Sequence, residues 1–198
     1  MGMAMGLKEL RRMLSREDVA PLLRRSFMNT LFDSTFMLLG IVVGAAYASG
    51  AGLRAVVLTM ATSSLALGIS TGVSVYESEL LEREREIAEL ERALFRDLDG
   101  TWIERSAKSI ALLLALVNFS TPLLSCGVTI SPFVMVALKV LGLREAAWAS
   151  ITMALGMLFA AGAYMGKAGD RNPWAKGLRM AGFGLIAFAA GFLLNSFI

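Results

Sequence analysis

Long apolar stretches alternate with short charged ones along the chain, and this pattern predicts five membrane-spanning helices. About 20 apolar residues in a helix cross the hydrocarbon core of a bilayer. The predicted spans are, in order, about Ser26–Ser49, Arg54–Tyr76, Ser106–Val128, Ala146–Gly166 and Trp174–Phe197. We therefore expect an all-α integral membrane protein with five transmembrane helices.

Two charged segments flank or interrupt the spans. Residues 1–25 have a leucine stripe and a basic face, which predict an amphipathic helix at the membrane surface ahead of the membrane domain, residues 26–198. Asp18 as a cap and Pro21 in the first turn predict that the next helix runs unbroken into the first span. After the second span the helical pattern continues, so residues 77–105 are expected to form a cytoplasmic acidic and basic helix with its connector.

The charged helix after the second span has two interpretations that its pattern leaves open. Leucine and isoleucine recur at heptad-like spacing, which favours packing against a partner helix. Alternatively, four carboxylates share one face and would attract a hard cation at the cytoplasmic mouth of a pathway. The apolar stripe is Leu80, Ile87, Leu90 and Leu94, and the acidic face is Glu79, Glu82, Glu86 and Glu89.

Proline interrupts the third span. Pro122 removes one backbone hydrogen bond, and the carbonyl that it frees is tolerated at membrane depth where protein covers it or where it lines a water-filled cavity. A kink that serves packing alone is the other interpretation. The apolar stretch from Ser131 to Val140 is too short to cross the bilayer, so it either belongs to a loop or extends the third helix.

Composition narrows the function classes. Hydrophobic residues make up 56% of the chain, and histidine is absent. The lack of histidine removes Ser–His and Cys–His catalysis and disfavours a zinc site, and intramembrane aspartyl chemistry needs two facing carboxylates where the spans supply one, so we expect no enzyme. Cys126 is the single cysteine and forms no intrachain disulfide, and the net charge of +3 is too small to indicate nucleic-acid binding.

Loop charges predict the orientation. Lysine and arginine crowd before the first span, between the second and third, and between the fourth and fifth. By the positive-inside rule these loops and the N-terminus are cytoplasmic, and the C-terminus is outside. The N-terminal segment has no pattern of a cleavable signal. We expect a multi-pass protein of a prokaryotic cytoplasmic membrane.

The first span contains Asp33, the one acid inside a predicted span. A carboxylate at the centre of a membrane helix costs about 2.5–3.5 kcal/mol on insertion scales, and such residues usually face a bundle interior or water. Asn29, Asp33 and Met37 follow one another at four-residue spacing on one helix face. This stripe indicates a cation ligand or proton carrier. The alternative is an aspartate near the interface that reaches water.

Three stretches resemble the vacuolar iron transporter family. They are FDSTFMLLGIVVGAA in the first span, GVSVYESELLEREREIAELE in the second, and the C-terminal MGKAGDRNPWAKGLRMAGFGLIAFAAGFLL. The resemblance implies a homodimer of five-helix subunits with its pathway at the subunit interface. It also implies that ferrous iron or manganese leaves the cytosol in exchange for protons. Asp33 falls on the pathway aspartate of that family.

The second span departs from the family pattern. Leu67 stands where the family commonly has methionine, and Thr71 stands where it has glutamate. Thr71 and Ser74 still offer neutral oxygens. The predicted pathway residues are Asp33 with Asn29, Met37, Thr71, Ser74 and Asn118, and the predicted metal ligands are Asp33, Glu79, Glu82, Glu86 and Glu89. The alternative function is a dimeric membrane scaffold that transports nothing and docks a partner on its charged helix.

Overall fold

The computed structural model describes residues 19–47, 52–95 and 102–197. These residues form five helices: α1 Val19–Tyr47, α2 Leu53–Leu94, α3 Trp102–Ala137, α4 Leu143–Ala168 and α5 Pro173–Phe197. Each helix contains a segment long and apolar enough to cross a membrane. The prediction of an all-α fold with five such helices is confirmed, and it indicates a multi-pass integral membrane protein. The predicted surface helix up to residue 18 and the connector at 96–101 lie outside the described residues.

Helix α2 is one continuous helix of 42 residues. At a rise of 1.5 Å per residue it is about 60 Å long, roughly twice the hydrocarbon thickness of a bilayer. Its first part is apolar, and the part from Glu77 onward is rich in glutamate and arginine. We call this second part, residues 77–94, the charged extension. The predicted helical continuation beyond the second span is confirmed, whereas its cytoplasmic location stays a prediction.

Helix α3 passes through both of its prolines, Pro122 and Pro132. The stretch after Ser131 therefore extends the third helix as far as Ala137. The helix ends where Lys139 takes a left-handed conformation with φ 58°. There the Val140 N–H donates to the Met135 carbonyl at 3.0 Å, which satisfies one of the last carbonyls of the helix.

Hydroxyl groups cover the carbonyls that the two prolines leave without their usual donors. Pro122 has no N–H for the Asn118 carbonyl, which accepts a hydrogen bond from Thr71 Oγ1 at 3.2 Å. Pro132 likewise has no N–H for the Val128 carbonyl, which accepts a hydrogen bond from Ser131 Oγ at 2.7 Å. Both freed carbonyls are therefore covered by hydroxyl groups of the protein.

The chain divides into two compact units. The first is Met1–Met28 with Ile69–Ser120, and the second is Asn29–Gly68 with Thr121–Ile198. The first unit has a small buried core around Val19, Ile110 and Leu114. The second has a larger one, which consists of Leu38, Leu39, Val42, Val43, Val56, Met60, Cys126, Phe133, Ala146, Ala147, Ile151 and Ala154.

Glycines let α4 and α5 pack closely within the second unit. A Cβ added at Gly162 would lie 2.8 Å from the Lys176 carbonyl oxygen, and one added at Gly177 would lie 2.9 Å from the Phe159 carbonyl oxygen. Both distances are too short for any side chain larger than hydrogen. The close spacing of small residues in these spans therefore serves helix packing within the chain.

Candidate functional site

The predicted stripe on α1 is exposed at two of its three residues. Asn29 and Asp33 are exposed, whereas Met37 is half-buried and packs against the core of the second unit, and the exposed face continues with Gly40 and Gly44. The rest of the helix between residues 34 and 43 packs inward. The one acid of the predicted spans therefore projects from the surface of the second unit, on a helix apolar enough to cross a membrane.

The two glycines on this face have open space beside them. A Cβ added at Gly40 or Gly44 would meet nothing within 4 Å. The sequence from Gly40 to Gly44 is GIVVG, a spacing that brings transmembrane helices into close contact through their small residues. The predicted site does not include these two glycines, although their spacing in the sequence shows that they continue the Asn29 and Asp33 stripe.

Asn118 and Thr71, two of the predicted pathway residues, are brought together inside the first unit. Asn118 is only 1% exposed. Its Nδ2 donates to Ser26 Oγ at 2.6 Å and to the Leu114 carbonyl at 2.8 Å. Its own carbonyl accepts the hydrogen bond from Thr71 Oγ1. These bonds link α1, α2 and α3 within the unit, so both residues have a packing role there.

The predicted pathway residues fall in both units. Asn29, Asp33 and Met37 belong to the second unit. The other three, Thr71, Ser74 and Asn118, belong to the first, where Ser74 is exposed. Leu67, at the position where the resembled family has methionine, is half-buried.

An ion-pair cluster occupies the predicted acidic face of the charged extension. Arg83 Nε lies 2.9 Å from Glu79 Oε1, and Arg83 Nη1 lies 2.9 Å from Glu86 Oε2. Burial lowers the pKa of Arg83, but the two carboxylates raise it by more, so its pKa lies above the ordinary value and the group stays charged. Glu82 and Glu89 are exposed. Two of the four predicted metal-gathering carboxylates are thus paired with one arginine, whose single positive charge offsets one of their two negative charges.

Among the side chains that the structure describes, there is no group of three or more His, Cys, Asp or Glu that could hold a metal ion. A cation at Asp33 would therefore need neutral oxygens, a thioether or ligands from a second chain to complete its coordination.

Hydroxyl groups line the interior of the second unit. Ser34 Oγ on α1 lies 2.9 Å from Ser125 Oγ on α3, and Ser150 Oγ on α4 donates to the Thr129 carbonyl at 2.7 Å. All four residues are fully buried. The interior of the unit is thus held together by hydrogen bonds between helices, and on α1 it is the buried Ser34, not the exposed Asp33, that takes part.

No family model and no curated protein matches the chain. The resemblance to the vacuolar iron transporter family therefore stays a prediction.

Proposed function

We propose that the protein transports a divalent metal ion, ferrous iron or manganese, out of the cytosol in exchange for protons. The observation that supports this most strongly is the exposed position of Asp33 on an apolar helix. A carboxylate facing lipid is costly, by about 2.5–3.5 kcal/mol on insertion scales. The position is understandable if the Asp33 face meets water, a cation or another protein surface.

We propose that a second copy of the chain packs against the Asp33 face of α1. Open glycines on the Asp33 face would let two α1 helices approach closely. Two Asp33 carboxylates would then face each other and balance the charge of one divalent cation. The Asn29 amide oxygen and the Met37 thioether would add ligands, and a thioether suits ferrous iron better than it suits magnesium or calcium. Proton exchange would use the same carboxylates when the cation leaves.

The charged extension would gather cations on the cytoplasmic side in this proposal. Positive loops support an N-terminus and a charged extension in the cytosol and a C-terminus outside, in a prokaryotic cytoplasmic membrane. Glu82 and Glu89 are exposed and would act first. Glu79 and Glu86 would have to break their ion pairs with Arg83 before they could bind the cation.

Flux measurements in proteoliposomes test the proposal. Vesicles that contain a fluorescent chelator would receive ferrous iron, manganese, calcium or zinc, with wild type, Asp33→Asn and Asp170→Asn compared. Asp170 is an exposed loop acid at the end of α4 and serves as the matched control for loss of one charge. We expect iron or manganese flux in wild type and Asp170→Asn, and the level of protein-free vesicles in Asp33→Asn.

The same flux in Asp33→Asn as in wild type, with equal reconstitution, would contradict a pathway at Asp33.

A second candidate function, the dimeric scaffold, is favoured by one feature of the charged extension. Leu90 and Leu94 are 44% and 59% exposed there, which leaves an apolar surface for a partner. Absence of flux for all four cations from well-assembled protein would favour the scaffold over the transporter.

A further inference from the structure

Ser64 on α2 differs from the other buried hydroxyls of the second unit. Its relative exposure is 0%, and its Oγ has no hydrogen-bond partner among the described residues. In the same unit, Thr35 donates to the Leu31 carbonyl at 2.7 Å and Thr129 to the Ser125 carbonyl at 2.9 Å. A serine in a helix can donate to the carbonyl four residues before it, which for Ser64 is that of Met60. Ser64 makes no such bond.

The neighbours of Ser64 follow from the core of the second unit. Met60 and Leu38 belong to that core together with Cys126. Two helices that a short link joins and that share one core are typically antiparallel, and on that geometry α1 and α2 run in opposite directions. Ser64 lies one turn after Met60, and Ser34 lies one turn before Leu38, so both are displaced in the same direction from the core.

Ser125 precedes Cys126 directly and is bonded to Ser34. This order is consistent with one level for the three serines, from α1, α2 and α3.

The Ser34 and Ser125 pair has acceptor capacity to spare. Ser34 Oγ lies 3.0 Å from the Leu31 carbonyl oxygen, Ser125 Oγ lies 3.1 Å from that of Thr121, and the two hydroxyls lie 2.9 Å apart. Two hydroxyl protons serve these three contacts. Each hydroxyl oxygen has two lone pairs, so the pair can accept at least one more hydrogen bond.

We propose that Ser64 binds one buried water molecule, which bridges it to the Ser34 and Ser125 pair. A buried water typically makes two to four hydrogen bonds to polar groups that lack other partners. It would accept a hydrogen bond from Ser64 and donate to Ser34 or Ser125. The three side chains are neutral, and the neighbouring Asp33 is exposed on the surface and not buried with Ser34, so the site suits water and not a cation. This site is independent of the proposed transport function.

A structure of the full chain in lipid nanodiscs, at a resolution that shows ordered water, tests the proposal directly. We expect a density peak within hydrogen-bond distance of Ser64 Oγ and of either Ser34 Oγ or Ser125 Oγ. Ser64 Oγ bonded to the Met60 carbonyl, with no peak beside it, would overturn the proposal.

Melting temperatures of a double-mutant cycle provide the second test. The cycle compares wild type, Ser64→Ala, Ser34→Ala and the double variant. We expect Ser34→Ala to lower the melting temperature less when residue 64 is alanine, because the bridging water is then already lost. A control cycle pairs Ser64→Ala with Thr152→Ala, since Thr152 is exposed and bonds within its own helix; it should be additive. Additive shifts in both cycles would contradict a bridge.

Discussion

The two faces of α1 in the second unit differ in how their polar groups and glycines are used. On the inward face, Ser34 and Thr35 bond to protein atoms and Leu38 is fully buried. On the outward face, Asp33 is exposed and Gly40 has open space beside it. The inward face is complete within one chain, whereas the outward face combines a charge with room for a close neighbour. We infer that the outward face is completed by a second copy.

The α4 and α5 hairpin shows what the same small-residue pattern means when its partner is present. Gly162 and Gly177 are in contact with the backbone of the facing helix, at 2.8 and 2.9 Å from an added Cβ. Gly40 and Gly44 have nothing within 4 Å. Other helical glycines, such as Gly156, also have nothing within 4 Å of an added Cβ and are exposed. The helices that contain them have no acid in their predicted spans. The combination with Asp33 distinguishes α1.

The largest expected effect on stability is on the inward face. Leu38→Ala should lower the free energy of unfolding by about 2–5 kcal/mol, because it leaves a cavity in the core of the second unit. Leu185→Ala is the matched control, since Leu185 is 53% exposed on α5 and should change stability by no more than about 0.5 kcal/mol. Unfolding of purified protein in detergent measures both. Equal losses would mean that Leu38 is not in a packed core.

A smaller effect is expected at the hydroxyl that covers the proline-freed carbonyl. Thr71→Val should lower the free energy of unfolding by about 1–3 kcal/mol, because the buried Asn118 carbonyl loses this donor. Thr62→Val is the control, since exposed Thr62 bonds to the Leu58 carbonyl of its own helix. The same unfolding assay applies. A stable Thr71→Val variant that lost metal flux would instead assign Thr71 to the pathway.

The long helices were predictable because their signal extends over many residues. Hydropathy and charge predict the five apolar helices and the charged extension of α2, and this prediction does not depend on any single residue. The sequence does not decide the course of α3 after Ser131, because the apolar stretch there is too short to span a bilayer and fits a loop as well as an extended helix. The outcome at Pro132 depends on a donor for the Val128 carbonyl, which Ser131 supplies.

The candidate site was predictable only in part. The Asn29, Asp33 and Met37 stripe shares one face as spacing predicted, because helix geometry alone determines that. Spacing within one helix could not show that Asn118 is buried and bonded to Ser26, because that contact joins distant parts of the chain. The unpartnered Ser64 hydroxyl depends on side-chain conformation, which no sequence pattern reports.

Cysteine cross-linking tests most directly whether a second copy covers the outward face of α1. In a Cys126→Ala background, Gly40→Cys places a thiol on this face, and Gly156→Cys places one at an exposed, equally open glycine of α4. A disulfide needs Cα atoms within about 7 Å, a separation that closely packed glycine faces allow. We predict that oxidation in native membranes yields a covalent dimer for Gly40→Cys and monomer for Gly156→Cys. Monomer for Gly40→Cys, or equal cross-linking of both variants, would contradict the account.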